Sequence, residues 1–200
     1  MGTAGLLRRS LDVLMPAPGS RQVRSEFRSF LHLLTTLDVR SYLEVGAYRG
    51  GTFYRVMRAL PVGALGVTVD NGRRSASRGR PSPLAEVGAR LARQGYAIET
   101  IFGDSRDGAT IEAARRLGPY DAILIDGDHS YDGVKHDWEA YGPMARRLVA
   151  FHDVAEEHVT RSGFRVEVPR LWREIKAAGA NTREFVAPGS KMGIGVVVRG

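Results

Sequence analysis

The stretch Asp121-Ala122-Ile123-Leu124-Ile125-Asp126-Gly127-Asp128-His129-Ser130-Tyr131-Asp132 runs from an apolar segment straight into a cluster of acids with one histidine. A second apolar run, Leu148-Val149-Ala150-Phe151, ends in His152-Asp153. Short β-rich apolar runs read as buried strands. In an open parallel sheet, ligands bind beyond the carboxyl ends of the strands. Two neighbouring strands that each deliver His and Asp to that rim can build an oxygen-rich metal site or an acid/base pair. The plainer alternative is that these groups cap the helices that follow.

Three more acids stand at the ends of earlier strands. Glu44-Val45-Gly46-Ala47-Tyr48-Arg49-Gly50 fits Glu-x-Gly-x-x-x-Gly, Asp70 closes the next apolar run, and Gly103-Asp104-Ser105 closes the one after. Glycine lets a backbone turn sharply and approach a ligand with no Cβ in the way. An acid after the first strand can meet an ammonium group. One after the second commonly holds ribose hydroxyls. Asp104 can accept from an adenine amino group. The turn is not the dinucleotide Gly-x-Gly-x-x-Gly, because Tyr48 occupies the place of the second glycine. Glu44 would also repel a pyrophosphate. The expected ligand is a nucleoside with a cationic tail.

The elements that must position these groups alternate. Val23, Phe27, Phe30, Leu31, Leu34 and Leu37 recur at spacings of three and four, which predicts an amphipathic helix over 21–37, packed on a sheet edge or on a partner. Strands are expected at 41–45, 65–69, 96–102, 121–125 and 148–151. Helices are expected at 52–60, 84–94, 110–117, 134–141 and around 171–176. Such alternation calls for a parallel sheet covered on both faces. Two last strands, near 184–186 and 194–198, are joined by a connector too short for a crossover helix and should pair antiparallel. Residues 71–83, rich in Arg, Ser, Gly and Pro, read as a mobile loop. His32 reads as a packing histidine, His136 as a surface one and Trp138 as core. The organisation read from this is an N-terminal helical extension, 1–38, and one α/β domain, 39–200.

Composition bounds the class. With 200 residues and 43% hydrophobic content, the chain can bury a sizeable core. It has no cysteine, which excludes disulfides, thiolate metal sites and cysteine nucleophiles. No apolar run approaches the ~18 residues of a membrane span. Asp12 and Pro16 interrupt the only stretch resembling a leader, so a cytoplasmic protein is expected, without a membrane partner. The formal charge of +7 raises nucleic acid or an anionic substrate as partners. The 29 basic residues include only three lysines, and no basic run is interleaved with aromatics as in single-strand binders. Scattered, solvated arginine accounts for the charge.

The series Glu44-x-Gly46-x-x-x-Gly50, Asp70, Gly103-Asp104-Ser105 and Asp121 to Asp126 resembles the class I S-adenosylmethionine-dependent methyltransferases. Ile125-Asp126-Gly127-Asp128-His129-Ser130-Tyr131-Asp132-Gly133-Val134-Lys135-x-Asp137, followed by Phe151-His152-Asp153-Val154 and Met192-Gly193-Ile194-Gly195-Val196, is similar to a bacterial subgroup. That subgroup holds cephalosporin-hydroxylase-like proteins and the sugar O-methyltransferases of macrolide and aminocoumarin antibiotic pathways. The likeness spans roughly residues 40–198.

The resemblance implies a Rossmann-like methyltransferase fold, mostly parallel and seven-stranded, with a C-terminal antiparallel hairpin. It implies that Glu44, Gly46 and Gly50 face the methionine part of S-adenosylmethionine, that Asp70 holds the ribose, and that Asp104 and Ser105 hold the adenine edge. Asp126 would border the cofactor too. It implies a divalent-cation site, Mg²⁺ in the relatives, at Asp126, His152 and Asp153. His152 departs from the acidic residue of those relatives, and a nitrogen donor with less charge suits Mn²⁺, Fe²⁺ or Zn²⁺ better than Mg²⁺. The relatives also place a base just after the first metal Asp, where Asp128 and His129 stand.

Three functional readings follow. The first is methyl transfer to a hydroxyl of a small molecule such as a sugar or natural product. The second is nucleic-acid methylation, opposed by Asp126-Gly127-Asp128-His129 standing where an Asn/Asp-Pro-Pro-Tyr/Phe base-methylation motif would be. The third is a non-methylating member of the fold, acting as a binding subunit or hydroxylation partner. The amphipathic N-terminal helix offers a surface for a homo-oligomer.

Overall fold

The computed structural model describes residues 22–72 and 82–199. The expected mobile loop falls largely on 73–81, and the leader-like stretch within 1–21; both lie outside the described residues.

Strand β1 (Ser41–Val45), β2 (Leu65–Asp70), β4 (Tyr120–Ile125) and β5 (Ala145–His152) are buried along nearly their whole length. A strand covered on both faces reads as a continuous apolar run rather than an alternating one, and this is how these segments appear in the sequence. With β3 (Ala97–Phe102), β8 (Thr182–Phe185) and β9 (Ile194–Val198) they form one seven-stranded sheet in the order β3-β2-β1-β4-β5-β9-β8. β1 to β5 pair parallel, while β9 runs antiparallel to both β5 and β8. This is the Rossmann-like arrangement expected, with the antiparallel pair in place.

Among the described residues six helices cover the sheet: α1 (Arg24–Thr36), α2 (Gly51–Ala59), α3 (Pro83–Arg93), α4 (Gly108–Leu117), α5 (Tyr131–Tyr141) and α6 (Val168–Ala177). Two begin on serine caps, with the Ser82 hydroxyl accepting from the Ala85 amide and that of Ser130 from the Gly133 amide. On one face Phe27, Phe30 and Leu34 of α1 pack with Phe53 and Met57 of α2 and with Leu124 and Val196 of the sheet. On the other, Tyr120, Tyr141, Phe151 and Trp172 form the second core. The apolar stripe of α1 is therefore buried within this chain, against the edge formed by β8 and β9 and in the same core as the rest.

Several elements differ from the sequence reading. β5 begins at Ala145 rather than Leu148, because Gly142–Met144 closes α5 with a 3₁₀ turn that feeds straight into the sheet. β8 lies at Thr182–Phe185, slightly earlier than expected. A small hairpin, β6 (His158–Val159) with β7 (Arg165–Val166), was not anticipated. Strands of two residues carry no periodic signal. His32 is exposed rather than packed.

Candidate functional site

The parallel register sets Val45 beside Ile125 and Ile125 beside Phe151, so β1, β4 and β5 end together. After β1 the chain turns through Gly46, whose amide donates to the Val69 carbonyl, and Asp126 donates to the Val45 carbonyl. Gly46 has φ +87°, and a Cβ there would stand 2.4 Å from the Asp126 carbonyl oxygen. The turn closes at Gly50, φ +77°, which caps α2.

Asp70 holds that turn in shape. Its Oδ2 accepts from the Tyr48 amide and its Oδ1 from the Gly72 amide, both at 2.7 Å. Tyr48 has φ +51°, a region costly for a residue with a side chain unless its surroundings enforce it. Asp104 accepts from the amide and side chain of Arg106 through Oδ1. The carbonyl of Ser105 accepts from the Tyr141 hydroxyl at 2.9 Å. Glu44 is nearly fully buried, and its Oε2 accepts from the Tyr42 hydroxyl at 2.7 Å. Burial pushes its carboxyl well above the usual range, against the pull of that hydrogen bond. Glu44 thus ties its own strand, through Tyr42, to the start of α2 at Phe53.

At the ends of β4 and β5 four side chains interlock. His129 reaches Asp126 Oδ1 through Nε2 at 3.2 Å and Asp153 Oδ2 through Nδ1 at 2.9 Å. His152 Nδ1 lies 3.1 Å from Asp126 Oδ1 and 3.3 Å from Asp153 Oδ1. Burial acts to lower the His129 pKa, but the hydrogen bonds from Asp126 and Asp153 outweigh it and push the imidazole up to about 10. Burial opposes the charge of His152 likewise, and Asp126 raises it again. Burial would raise Asp126; His152 and His129 together hold it well below the ordinary carboxylate range. The two imidazoles and two carboxylates thus form one tightly coupled, largely buried cluster.

Two features bear on a cation here. Among the described residues, no three His, Asp or Glu side chains are spread around a common centre as a preformed metal site. Yet Nδ1 and Nε2 of His152 and Oδ1 of Asp153 are buried with no partner in hydrogen-bond geometry, despite the short distances around them. Donor atoms that converge at about 3 Å without directed hydrogen bonds suit a shared cation, since ligands at ~2.1 Å in an octahedron stand roughly that far apart. Two carboxylates and an imidazole are donor types that divalent ions accept, though the described residues hold them in no preformed metal geometry.

The structure thus brings together Asp126, His129, His152 and Asp153, and sets Gly46 directly against the first of them. Asp128 lies outside the cluster: it is exposed, and its Oδ1 accepts from the Ser130 amide at the start of α5. The sequence reading missed the bridge from His129 to Asp153. It also missed Glu167, whose amide donates to the His129 carbonyl at 2.8 Å and whose Oε2 accepts from the Tyr131 amide. Glu167 follows the unforeseen β6–β7 hairpin, so only a tertiary link reveals it. Asp137 of α5 is fully buried near Gly127, and burial pushes its carboxyl up to about 6.

A family model described as a methyltransferase domain matches residues 43–154. No curated protein matches the chain in sequence. Among solved structures, an O-methyltransferase from Bacillus cereus in complex with SAH is 18% identical, with a TM-score of 0.59, covering 100% of this chain and 92% of that one. The O-methyltransferase TomG from Streptomyces achromogenes, involved in tomaymycin synthesis and solved with SAM, is 20% identical, with a TM-score of 0.62, covering 98% and 88%. At these identities the likeness establishes a shared fold.

Proposed function

The chain belongs to the methyltransferase domain family and is an S-adenosylmethionine-dependent methyltransferase; from that premise we propose that it methylates a hydroxyl of a small, natural-product-like molecule with the help of a divalent cation. The observation that carries the hydroxyl reading is His129 held between Asp126 and Asp153 beside the Gly46 turn. An alcohol or phenol is too weak an acid to attack a sulfonium carbon unaided, so its proton must leave as the new bond forms. O-Methyltransferases of the same fold, one of them involved in tomaymycin synthesis, support the acceptor class by analogy.

The residues divide the work. The Gly46–Gly50 turn, kept in shape by Asp70, receives the methionine part and the ribose, while Asp104 and Ser105 border the adenine. Asp126, Asp153 and His152 would hold the cation, with Mn²⁺, Fe²⁺ or Zn²⁺ suiting the nitrogen donor. Such an ion lowers the pKa of a hydroxyl and fixes its direction. With Asp126 and Asp153 engaged by the cation, His129 would be released from them and would be the group that accepts the hydroxyl proton. The oxygen–carbon bond forms as the carbon–sulfur bond breaks, its electron pair stays on sulfur, and S-adenosylhomocysteine leaves. Holding both partners in line is the larger share of the catalysis.

The test is titration calorimetry with S-adenosylhomocysteine and with NAD, followed by assay of S-adenosylhomocysteine release over a panel of hydroxylated sugars and phenols with and without Mn²⁺. Binding of the sulfur ligand but not NAD, with turnover on a hydroxyl acceptor, is expected. Turnover only on nucleic acid, or binding without turnover on any class, would overturn the acceptor reading.

A further inference from the structure

Glu26 stands in the first turn of α1, only 2% exposed, on the stripe that otherwise presents Phe27, Phe30 and Leu34 to the core. Burying a carboxylate is costly unless its oxygens are satisfied. Here both are satisfied by backbone. Oε1 accepts from the Ala187 amide at 2.9 Å and Oε2 from the Gly193 amide at 3.2 Å. The carbonyl of that same Gly193 accepts from the amide of Asp153 at 2.9 Å. One residue, Gly193, through the peptide groups on its two sides, therefore connects a helix at the sheet edge to the residue whose carboxylate pairs with His129.

Both backbone positions in this chain are conformationally demanding. Gly193 has φ +78°, and a Cβ there would stand 2.8 Å from Val186. Asp153 has φ +61°, a left-handed conformation that Asp tolerates but does not prefer. The segment after Asp153 continues the same tie, with the Ala155 amide donating to Met192 and that of Glu156 to Lys191. Packing alone would be served by an apolar residue at position 26, so a buried acid needs another account. We propose that Glu26 is a positioning residue for the active site: by clamping the Gly193 amide it fixes the backbone of Gly193, whose carbonyl in the next peptide unit holds the Asp153 amide in its left-handed turn, and so aims the Asp153 carboxylate at the cluster. This rests on Asp153 being a site residue, as argued above.

The experiment compares Glu26→Ala and Glu26→Gln with Leu34→Ala, a cavity variant on the same helix that leaves the clamp intact. Free Mn²⁺ is followed by electron paramagnetic resonance, S-adenosylhomocysteine binding by calorimetry, and amide exchange at Asp153 by NMR. Glu26→Ala should weaken Mn²⁺ binding by about 10–100-fold, the range for residues that orient metal ligands from behind. Its affinity for S-adenosylhomocysteine should stay within about twofold of wild type, because that ligand's turn is held by Asp70 on the other side. Glu26→Gln, with one acceptor oxygen left, should fall between. Equal loss of Mn²⁺ affinity in Leu34→Ala, or none in Glu26→Ala, would overturn the proposal. If the wild-type protein takes up no Mn²⁺, the cation reading fails by itself. The clamp is then judged on exchange alone: selective loss of Asp153 protection, with Val149 of β5 unchanged, supports it, and unchanged Asp153 protection overturns it.

Discussion

Gly46 and Asp126 are packed back to back: a methyl group on Gly46 would sit 2.4 Å from the Asp126 carbonyl oxygen and equally close to the Gly127 Cα. The Gly46 turn and the backbone leading from Asp126 into the His129 loop thus lie in van der Waals contact, so the two halves of the proposed site are neighbours.

Gly46→Ala should therefore damage both halves at once. The added Cβ meets backbone, which cannot rotate away, and φ +87° is itself unfavourable for alanine. Loss of measurable S-adenosylhomocysteine binding is expected in calorimetry. Wild-type affinity would show that the turn is not the cofactor site.

Asp70→Ala removes the acceptor of two backbone amides and frees Tyr48 from its strained conformation. The expected loss in S-adenosylhomocysteine affinity is about 1–3 kcal/mol, the scale of a charge-assisted hydrogen bond. Calorimetry on the folded variant measures it directly.

Replacing either acid of the cluster tests the cation. Asn tolerates the left-handed backbone of Asp153, so Asp153→Asn removes charge without adding backbone strain. That variant and Asp126→Asn should each abolish Mn²⁺ signals in anomalous scattering from soaked crystals. Activity that survives exhaustive chelation would exclude the ion from the reaction.

His129→Ala should slow transfer by ~10²–10⁴-fold with cofactor affinity nearly unchanged, the usual scale for a general base. Asp128→Asn, outside the cluster, should change the rate little. The reverse outcome would assign the proton to Asp128.

Asp137 gives a pH prediction. Burial lifts its carboxyl from an ordinary 3.8 to about 6, so the folded chain binds this proton more tightly than the unfolded one. The stability tied to the protonated form is complete below about pH 4 and declines as pH rises to about 6. At ~1.4 kcal/mol per unit the decline is at most about 3 kcal/mol. Urea midpoints of wild type and Asp137→Asn, compared pairwise at pH 4 and 7, isolate it from the other carboxylates. A constant difference between the two proteins would sink the prediction.

Strand-end logic made Asp126, His129, His152 and Asp153 legible, because apolar runs terminating in polar residues mark the rim of a parallel sheet. Their mutual arrangement was not legible, since it is set by the β4–β5 register that puts Ile125 beside Phe151 and by the Asp153 amide donating to Gly193 ahead of β9, both contacts between residues distant in sequence. The burial of Glu26 and of Asp137 was not legible, for the opposite reason. An acid on a helix reads as solvent-facing, and only the neighbouring amides at Ala187 and Gly193, or the closeness of Gly127, show that it is inside. The β6–β7 hairpin was too short to leave a pattern, which also hid the tie from Glu167 to His129.

The strand order has one more effect. It leaves β3 and β8 as the outer rims, and each carries exposed charge, Glu99 on one and Arg183 with Glu184 on the other. Charges on a rim strand discourage a strand from another molecule from adding to it. The sheet is thus guarded against edge-to-edge growth, and copies of this chain that meet at high concentration have little to gain by extending it.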